Sequence, residues 1–344
     1  MKNYRNRKFT AIVLPAITMV LLFAANIFFG SVDIPISEII DILAGNDPQR
    51  ESWRMIILNS RLPQAVVAML CGMALSAAGV MLQTLFNNPL AGPEVFGINS
   101  GAGLGVAVVM LLLQGSFVAG GMNIAGYFAI LAGAFIGALA ITGIILLFSL
   151  MLRGNIFLLI AGMALSYLTS SLIALLNYFS TAEGVHSYLI WGMGNFGGVS
   201  LQQLPLFATI SMIAILCTLL MMKPLNALLL GEIYAENLGI NTGRIRWIIL
   251  LLTGLLTAIV TSFCGPISFI GLAVPHIARL LLKSNNHRLL LPSTLLTGGC
   301  VTLLCNMLCH LPGESGLIPL SAITPLIGAP IIIYVVLKSR GQFS

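Results

Sequence analysis

Side chains that could do chemistry are scarce in this sequence, and many of them share one short stretch between long apolar runs. That stretch, LGEIYAENLGINTGRIR, covers residues 230–246 and holds two glutamates, two arginines, two asparagines and a tyrosine. Its apolar residues recur at i, i+3, i+4 and i+8, the spacing of one helix face, and Gly239 is placed to cap the helix. The pattern predicts a two-turn amphipathic helix. Its apolar face consists of Leu230, Ile233, Tyr234 and Leu238, and Glu232 and Glu236 lie on another face.

A helix of two turns is too short to be stable alone, so this segment needs a surface to rest on. One alternative is the lipid headgroup layer, but an acidic face suits an anionic membrane surface poorly. The apolar face therefore favours a groove on a partner protein. The chemistry that the segment offers is recognition rather than catalysis.

Motifs for nucleotide, metal or proton chemistry do not accompany this segment. The sequence has no GxxxxGK[ST] phosphate loop and no Gly-Lys pair at all. Cys305, Cys309 and His310 are close in sequence, but with no CxxC pair and no nearby carboxylate we interpret the six cysteines as small buried residues. Apart from His276, which is near the end of one run, no ionisable side chain lies near the middle of an apolar run, where a proton relay would need one. We expect neither an enzyme nor a bound cofactor, and we expect energy to come from another subunit.

The composition places the chain in a membrane. Of 344 residues, 58% are hydrophobic and only 8% are charged, whereas a soluble chain has roughly 25% charged residues. The net charge of +6 does not indicate a nucleic-acid partner, because the basic residues are scattered among apolar runs and form no patch. Membrane lipid is the expected surrounding.

Apolar runs long enough to approach the ~20 residues of a membrane helix occur along the whole chain. The first is too long for the core of a signal peptide, so we interpret it as a retained span. The fold class expected is an all-α membrane protein with about ten transmembrane helices. The ten runs are 9–30, 65–86, 101–118, 124–152, 156–179, 204–222, 247–264, 266–282, 289–309 and 317–337.

Ten spans put both termini on one side of the membrane. That side then holds 13 of the 16 lysines and arginines, and the other side holds Arg50, Arg54 and Arg61. Because cytoplasmic loops carry the excess of basic residues, both termini are predicted to be cytoplasmic.

The longest outer loop, about 31–64, contains the sequence ISEIIDIL. Its apolar residues Ile36, Ile39, Ile40 and Leu43 recur at helical spacing and predict a short amphipathic helix on the membrane face. Two small-residue repeats, Gly101-xxx-Gly105 and Gly133-xxx-Gly137, predict close helix crossings. No linker is visible, so residues 1–344 are expected to form a single transmembrane permease domain with a cytoplasmic loop at about 223–246.

Four motifs, in order and on the expected sides, resemble one family of transporters. They are NPLAGP within 88–93, LGEIYAENLG at 230–239, GPISFIGLAVPHIAR at 265–279 and IGAP at 327–330. In this combination the chain resembles the permeases of the FecCD and vitamin B12 type, the transmembrane subunits of ABC importers for iron–siderophore complexes, haem or cobalamin. The alternative is a secondary transporter driven by an ion gradient.

That resemblance implies a set of partners and a location. They are a second copy of the chain with the pathway on its two-fold axis, two cytoplasmic ATP-binding subunits that hold ATP and Mg, and an extracytoplasmic substrate-binding protein. The location would be a bacterial cytoplasmic (inner) membrane, crossed many times. A ferric siderophore is the first expectation for the cargo, with haem or vitamin B12 possible.

The resemblance also implies roles for particular residues. The segment at 230–239 would be the coupling helix, with its apolar face in a groove of the ATPase and its acids against the groove's rim, and Glu94 is a further candidate contact. The coupling residues are Leu230, Gly231, Glu232, Ile233, Tyr234, Glu236, Leu238 and Gly239. The inner gate and pathway residues are Gly154, Asn155, Ile156, Ser166, Thr169 and Ser170. The residues expected to dock the binding protein are Arg50, Arg54, Arg61 and His310.

Overall fold

The computed structural model describes residues 2–112, 124–152, 155–311 and 316–340, and all regular secondary structure within them is helical. The α-helices are α1 (Lys2–Phe28), α2 (Ile36–Leu43), α3 (Glu51–Ile56), α4 (Leu62–Leu85), α5 (Ile98–Ala107), α6 (Ile124–Met151), α7 (Asn155–Phe179), α8 (Ala182–Gly192), α9 (Leu204–Leu219), α10 (Met222–Leu228), α11 (Glu232–Asn237), α12 (Thr242–Cys264), α13 (Ile270–Leu282), α14 (His287–Cys309) and α15 (Leu320–Arg340).

Each of the ten predicted runs coincides with an apolar helix, but the helices differ in length. Within the described ranges, α5 and α13 are shorter than a full span, and α9 meets α10 at a bend of 48°. The multi-pass membrane class is confirmed, whereas the number ten and the cytoplasmic termini stay predictions. Six stretches are long and apolar enough to cross a membrane: Ala11–Phe28, Glu51–Leu85, Gly126–Met151, Ile156–Phe179, Thr242–Cys264 and His287–Cys309.

Helix α4 is the central helix, packed against α9, α12, α13 and α14. Its glycines allow backbones to approach closely, as is common where membrane helices cross. A Cβ placed on Gly79 would lie 1.7 Å from the carbonyl oxygen of Gly271, and one on Gly72 would lie 2.2 Å from that of Gly298. The close contacts at these two glycines fix the position of α4 against α13 and α14.

The predicted close crossings of the small-residue repeats are confirmed, and the two repeats pack against each other. A Cβ on Gly105 would lie 1.9 Å from the carbonyl oxygen of Gly133, and one on Gly137 would lie 2.2 Å from that of Gly101. Helices α5 and α6 therefore meet backbone to backbone.

The outer loop is more ordered than predicted. The amphipathic helix forms as α2, but Ile39 packs inward together with Ile42, while Ile36 stays exposed. Glu38, on the same helix, is buried and accepts a hydrogen bond from the Gln49 amide at 3.1 Å. The rest of the loop is helical: α3 continues through a π-helical turn at Ile57–Arg61 into α4, so the second span begins well before residue 65.

Candidate functional site

The polar segment at 230–246 contains the predicted helix, but this helix is shorter than expected. Helix α11 has six residues and lies between two glycines in the left-handed region, Gly231 at φ +100° and Gly239 at φ +82°. Gly239 ends the helix as predicted: its amide donates to the Glu236 carbonyl, and the Ile240 amide donates to that of Ala235. This paired arrangement is a Schellman cap, which needs the left-handed residue that glycine supplies.

The apolar residues of this segment are turned to the outside. Ala235 packs inward and is fully buried. We name the exposed surface around it the apolar patch: Leu230, Ile233, Tyr234 and Leu238, which are 62%, 77%, 66% and 64% exposed. Beside charged side chains of the same segment, such a patch is typical of a surface that a protein partner covers.

The acidic residues of α11 are bound within the chain, which differs from the expected contact with a partner's rim. The Glu232 carboxylate accepts a hydrogen bond from Arg246 at 2.6 Å, and the Glu236 carboxylate accepts one from Thr242 at 2.7 Å. Both partners lie in the first turns of α12. Because these two bonds tie α11 to the end of a span, the apolar patch has a fixed orientation.

The NPLAGP motif and the asparagine before it form the turn that precedes α5. Asn87 has a φ of +45°, and the Asn88 side chain accepts a hydrogen bond from the Leu90 amide. His276 joins this turn to α13 by donating from Nε2 to the Pro89 carbonyl at 2.8 Å. Glu94, predicted as a contact with the ATPase, instead accepts a hydrogen bond from the Phe269 amide at the start of α13.

The predicted pathway residues on α7 divide into exposed and buried positions. Ile156 and Ser170 are exposed. Ser166 is half-buried and donates to the Gly162 carbonyl, and Thr169 is buried and bonded to carbonyls of its own helix. Thr169 therefore cannot line a pathway in this conformation. Asn155 is the first residue of α7, and Gly154 lies outside the described residues.

Arg61, predicted to dock a binding protein, is buried and occupied. Its guanidinium donates to the carbonyls of Ile27 at 3.0 Å and Phe28 at 3.1 Å, and also to that of Val32. These are carbonyls at and just beyond the end of α1, which no intrahelical amide satisfies. The position of Arg61 contradicts the docking role and indicates that it fastens α1 to the start of α4.

The other predicted docking residues lie differently. Arg50 stacks over the Trp53 ring at 5.1 Å, and Arg54 pairs with Asp47 at 3.5 Å, both on the exposed surface. His310 is half-buried and donates from Nδ1 to the Asn306 carbonyl at 2.7 Å. It lines a recess of about 570 Å³ beside the loop 31–64, which we name the outer recess, together with Arg61, Gln64 and Asn306 among others.

The motifs and the helix order place this chain in a known family. Residues 17–338 match the FecCD transport family. The chain belongs to this family. Among its relatives is the vitamin B12 import system permease protein BtuC of Klebsiella pneumoniae, 36% identical over 290 residues, which covers 84% of either chain. The protein of the same description from Salmonella typhi is 36% identical over 286 residues, or 83% of this chain and 84% of the relative.

A solved structure extends the likeness of this FecCD family member to the fold. It is described as an inward-facing conformation of an ABC transporter assigned to the metal-chelate type. The TM-score is 0.82 at 27% sequence identity, over 95% of this chain and 98% of that chain. The chain is therefore a transport permease with this fold.

The intrachain partners of the site were missed by the sequence analysis. Arg246 stands in the same polar stretch as Glu232, so charge complementarity was the available signal for this pair, whereas the Thr242 hydroxyl that binds Glu236 offered no such signal. The carbonyl partners of Arg61 could not be predicted from the sequence, because every residue has a backbone carbonyl whatever its side chain.

Proposed function

We propose that this chain is the membrane-spanning subunit of an ABC importer, and that separate cytoplasmic subunits bind and hydrolyse ATP for it. The observation that carries the proposal is the apolar patch on α11. Four large apolar side chains stay exposed on α11 or directly beside it, and two intrachain hydrogen bonds hold this helix in place. A surface with its orientation already fixed loses little entropy when a partner covers it, which favours tight docking.

We propose a cobalt corrinoid of the vitamin B12 class as the cargo, rather than the ferric siderophore expected first. The support is the 36% identity to relatives described as vitamin B12 import permeases. A likeness to a transporter assigned to metal chelates is compatible with this cargo, since a corrinoid is itself a metal chelate.

A second copy of the chain is proposed to pack against α7. The lipid-facing side of α1 is uniformly apolar, with Leu14, Ile17 and Leu21 exposed. The exposed side of α7 also carries Tyr167 and Ser170. Polar groups are disfavoured against lipid, so a mixed surface of this kind suits a wall of the pathway between two copies.

The outer face is proposed to receive a substrate-binding protein, and the location proposed is a bacterial cytoplasmic membrane. On the outer loop between α2 and α4, Arg50 is exposed and Arg54 is partly exposed. They can meet acidic residues of a binding protein, and His310 stands at the rim of the outer recess for the same contact.

The test is reconstitution of the chain with the ATPase and binding protein encoded beside it. We expect the ATPase to co-purify with the chain. We also expect proteoliposomes to take up cyanocobalamin only when ATP is present on the side of the membrane where the ATPase is bound. A ferric hydroxamate siderophore serves as the rival cargo, and its uptake in place of cyanocobalamin would reject the corrinoid. Uptake that continues without the ATPase and stops with an uncoupler would instead support a secondary transporter.

Ile233→Asp is the variant that tests the apolar patch. Ile233 is 77% exposed, so the change should leave folding intact, while in the complex it would bury an unpaired charge. We expect co-purification of the ATPase to fall at least tenfold. Ile36→Asp is the matched control, since Ile36 is an exposed isoleucine on α2 at the opposite end of the molecule.

A further inference from the structure

A buried histidine joins α10, the helix that precedes the apolar patch, to α4, the central helix of the fold. His287 is the first residue of α14 and is fully buried. Its ring lies between Asn226 of α10 and Thr84 of α4: Nε2 is 2.8 Å from Thr84 Oγ1, and Nδ1 is 3.3 Å from Asn226 Oδ1. His287 thus links three helices: its ring hydrogen-bonds to Thr84, and its backbone amide donates to Asn226.

The direction of these hydrogen bonds follows from the number of protons available. Thr84 has one hydroxyl proton, which it gives to the Val80 carbonyl at 2.8 Å, so His287 must donate to it from Nε2. On the other side, the Asn226 carbonyl oxygen accepts from the His287 backbone amide at 2.8 Å. The Asn226 amide group donates in turn to Asn286, the residue that caps α14, at 3.2 Å.

Helix α10 is connected to the apolar patch by hydrogen-bonded turns and not by a flexible linker. The Leu229, Leu230 and Gly231 amides each donate to a carbonyl of α10, so hydrogen-bonded turns link Asn226 to the start of α11. Leu225, beside Asn226, is fully buried. A displacement of the patch must therefore move α10 or break these turns.

At the far end, the link continues from α4 to α13. Gln83, next to Thr84, accepts from Arg279 at 2.5 Å and donates to the Leu272 carbonyl at 3.1 Å. Separating two buried, hydrogen-bonded groups lowers the stability of the fold, because no water replaces the lost partner. Helices α10, α14, α4 and α13 are consequently joined at this end by groups that resist separation.

We propose that His287 is a positioning residue. It transmits movement of the apolar patch and α10 to the membrane helices, through Asn226 on one side and Thr84 on the other. The inference rests on the proposed function and adds to it the route by which ATP-driven movement of the apolar patch reaches α4. Loss of the link leaves the patch able to bind the ATPase but uncouples binding from the opening of the pathway.

The decisive variant is Thr84→Val in the complete reconstituted complex. Valine keeps the shape of threonine and removes the acceptor for His287. Thr257→Val is the matched control: Thr257 is fully buried in α12, and its hydroxyl also donates at 2.8 Å to the carbonyl four residues earlier. We expect Thr84→Val to keep ATPase co-purification and basal ATP hydrolysis, and to lower uptake per ATP hydrolysed by roughly three- to tenfold, the factor that one hydrogen bond supplies. Thr257→Val should transport as the wild type does.

A pair of substitutions at His287 separates positioning from packing. His287→Gln can still donate to Thr84 and should retain more coupling than His287→Leu, which cannot donate. Equal coupling in both variants, or a Thr84→Val complex with unchanged uptake per ATP, would overturn the inference. Loss of ATPase binding in Thr84→Val would also overturn it, because the network would then shape the docking surface instead. Failure of the wild-type chain to bind any ATPase would reject the proposed function itself.

Discussion

The guanidinium of Arg246 donates to the Glu232 carboxylate across 2.6 Å and joins the first turn of α11 to the first turns of α12. Glu232 remains partly exposed. Ion pairs at such positions contribute at most about 1 kcal/mol to stability. The pair therefore matters for the orientation of the apolar patch more than for the stability of the fold.

The first prediction exchanges the two charges of this pair. Glu232→Arg should weaken ATPase binding by roughly three- to fivefold, since like charges would push α11 away from α12. The double variant Glu232→Arg with Arg246→Glu should recover most of the affinity. Titration of the ATPase onto immobilised permease measures both, and the effect should shrink at high salt. A double variant that binds no better than the single one would show that the orientation of α11 does not depend on this pair.

The second prediction compares two glycines in membrane helices. Gly79→Ala places a methyl group against the backbone of Gly271, which cannot move aside as a side chain would, so we expect a loss of about 1–3 kcal/mol and a lower Tm. Gly143→Ala in α6 meets nothing within 4 Å. Since alanine favours a helix over glycine, this variant should be no less stable than the wild type. Thermal unfolding in detergent, followed by fluorescence, measures both, and equal Tm values would contradict the close packing of α4 on α13.

The third prediction uses two thiols as a measure of the packing of α4 on α12. The sulfur atoms of Cys71 and Cys264 lie 3.4 Å apart in the core. Oxidation with copper phenanthroline should join these two cysteines and remove two of the six thiols from subsequent alkylation in the unfolded protein. Cys71→Ser should abolish the disulfide. Peptide mapping identifies the linked pair, and a disulfide through a different cysteine would contradict the contact.

The sequence predicted what depends on local spacing. The apolar repeats predicted α2, α11 and each membrane run, and Gly239 predicted the end of α11, because helical periodicity and capping are read within a few residues. The repeats at Gly101 and Gly133 predicted close crossings, since small residues four apart on a membrane helix let another backbone approach closely. Their pairing with each other required the fold.

Long-range partners could not be read in the same way. Ser166 and Thr169 looked like the lining of a polar wall, but in the structure their hydroxyls bond to carbonyls of their own helix. His287 lies just before the predicted run 289–309 and drew no prediction, because its importance lies in its contact with Thr84, which is 203 residues away. Sequence spacing carries no information on such contacts, whereas the hydrogen bonds that they form are what a buried polar group requires.

The last prediction separates two arginines that the sequence treated alike. Arg61→Met keeps the aliphatic part of the side chain and removes the donors to Ile27, Phe28 and Val32, which leaves buried carbonyls without partners. A charged group that satisfies such carbonyls contributes about 1.5–3 kcal/mol, so Tm should fall and proteolysis between α1 and α2 should become faster. Capture of the binding protein by the folded fraction should not change.

Arg54→Met should behave in the opposite way. Its pair with Asp47 is exposed and exchangeable, so stability should stay within about 0.5 kcal/mol of the wild type. If Arg54 meets an acidic residue of the binding protein, the association rate should fall, and most strongly at low salt, because charges at the rim of an interface act mainly on encounter. Surface plasmon resonance on permease in nanodiscs measures this rate beside the Tm of the same sample. An Arg61→Met protein with unchanged Tm and lost capture would restore Arg61 as the docking residue and reject the fastening role that its buried position indicates.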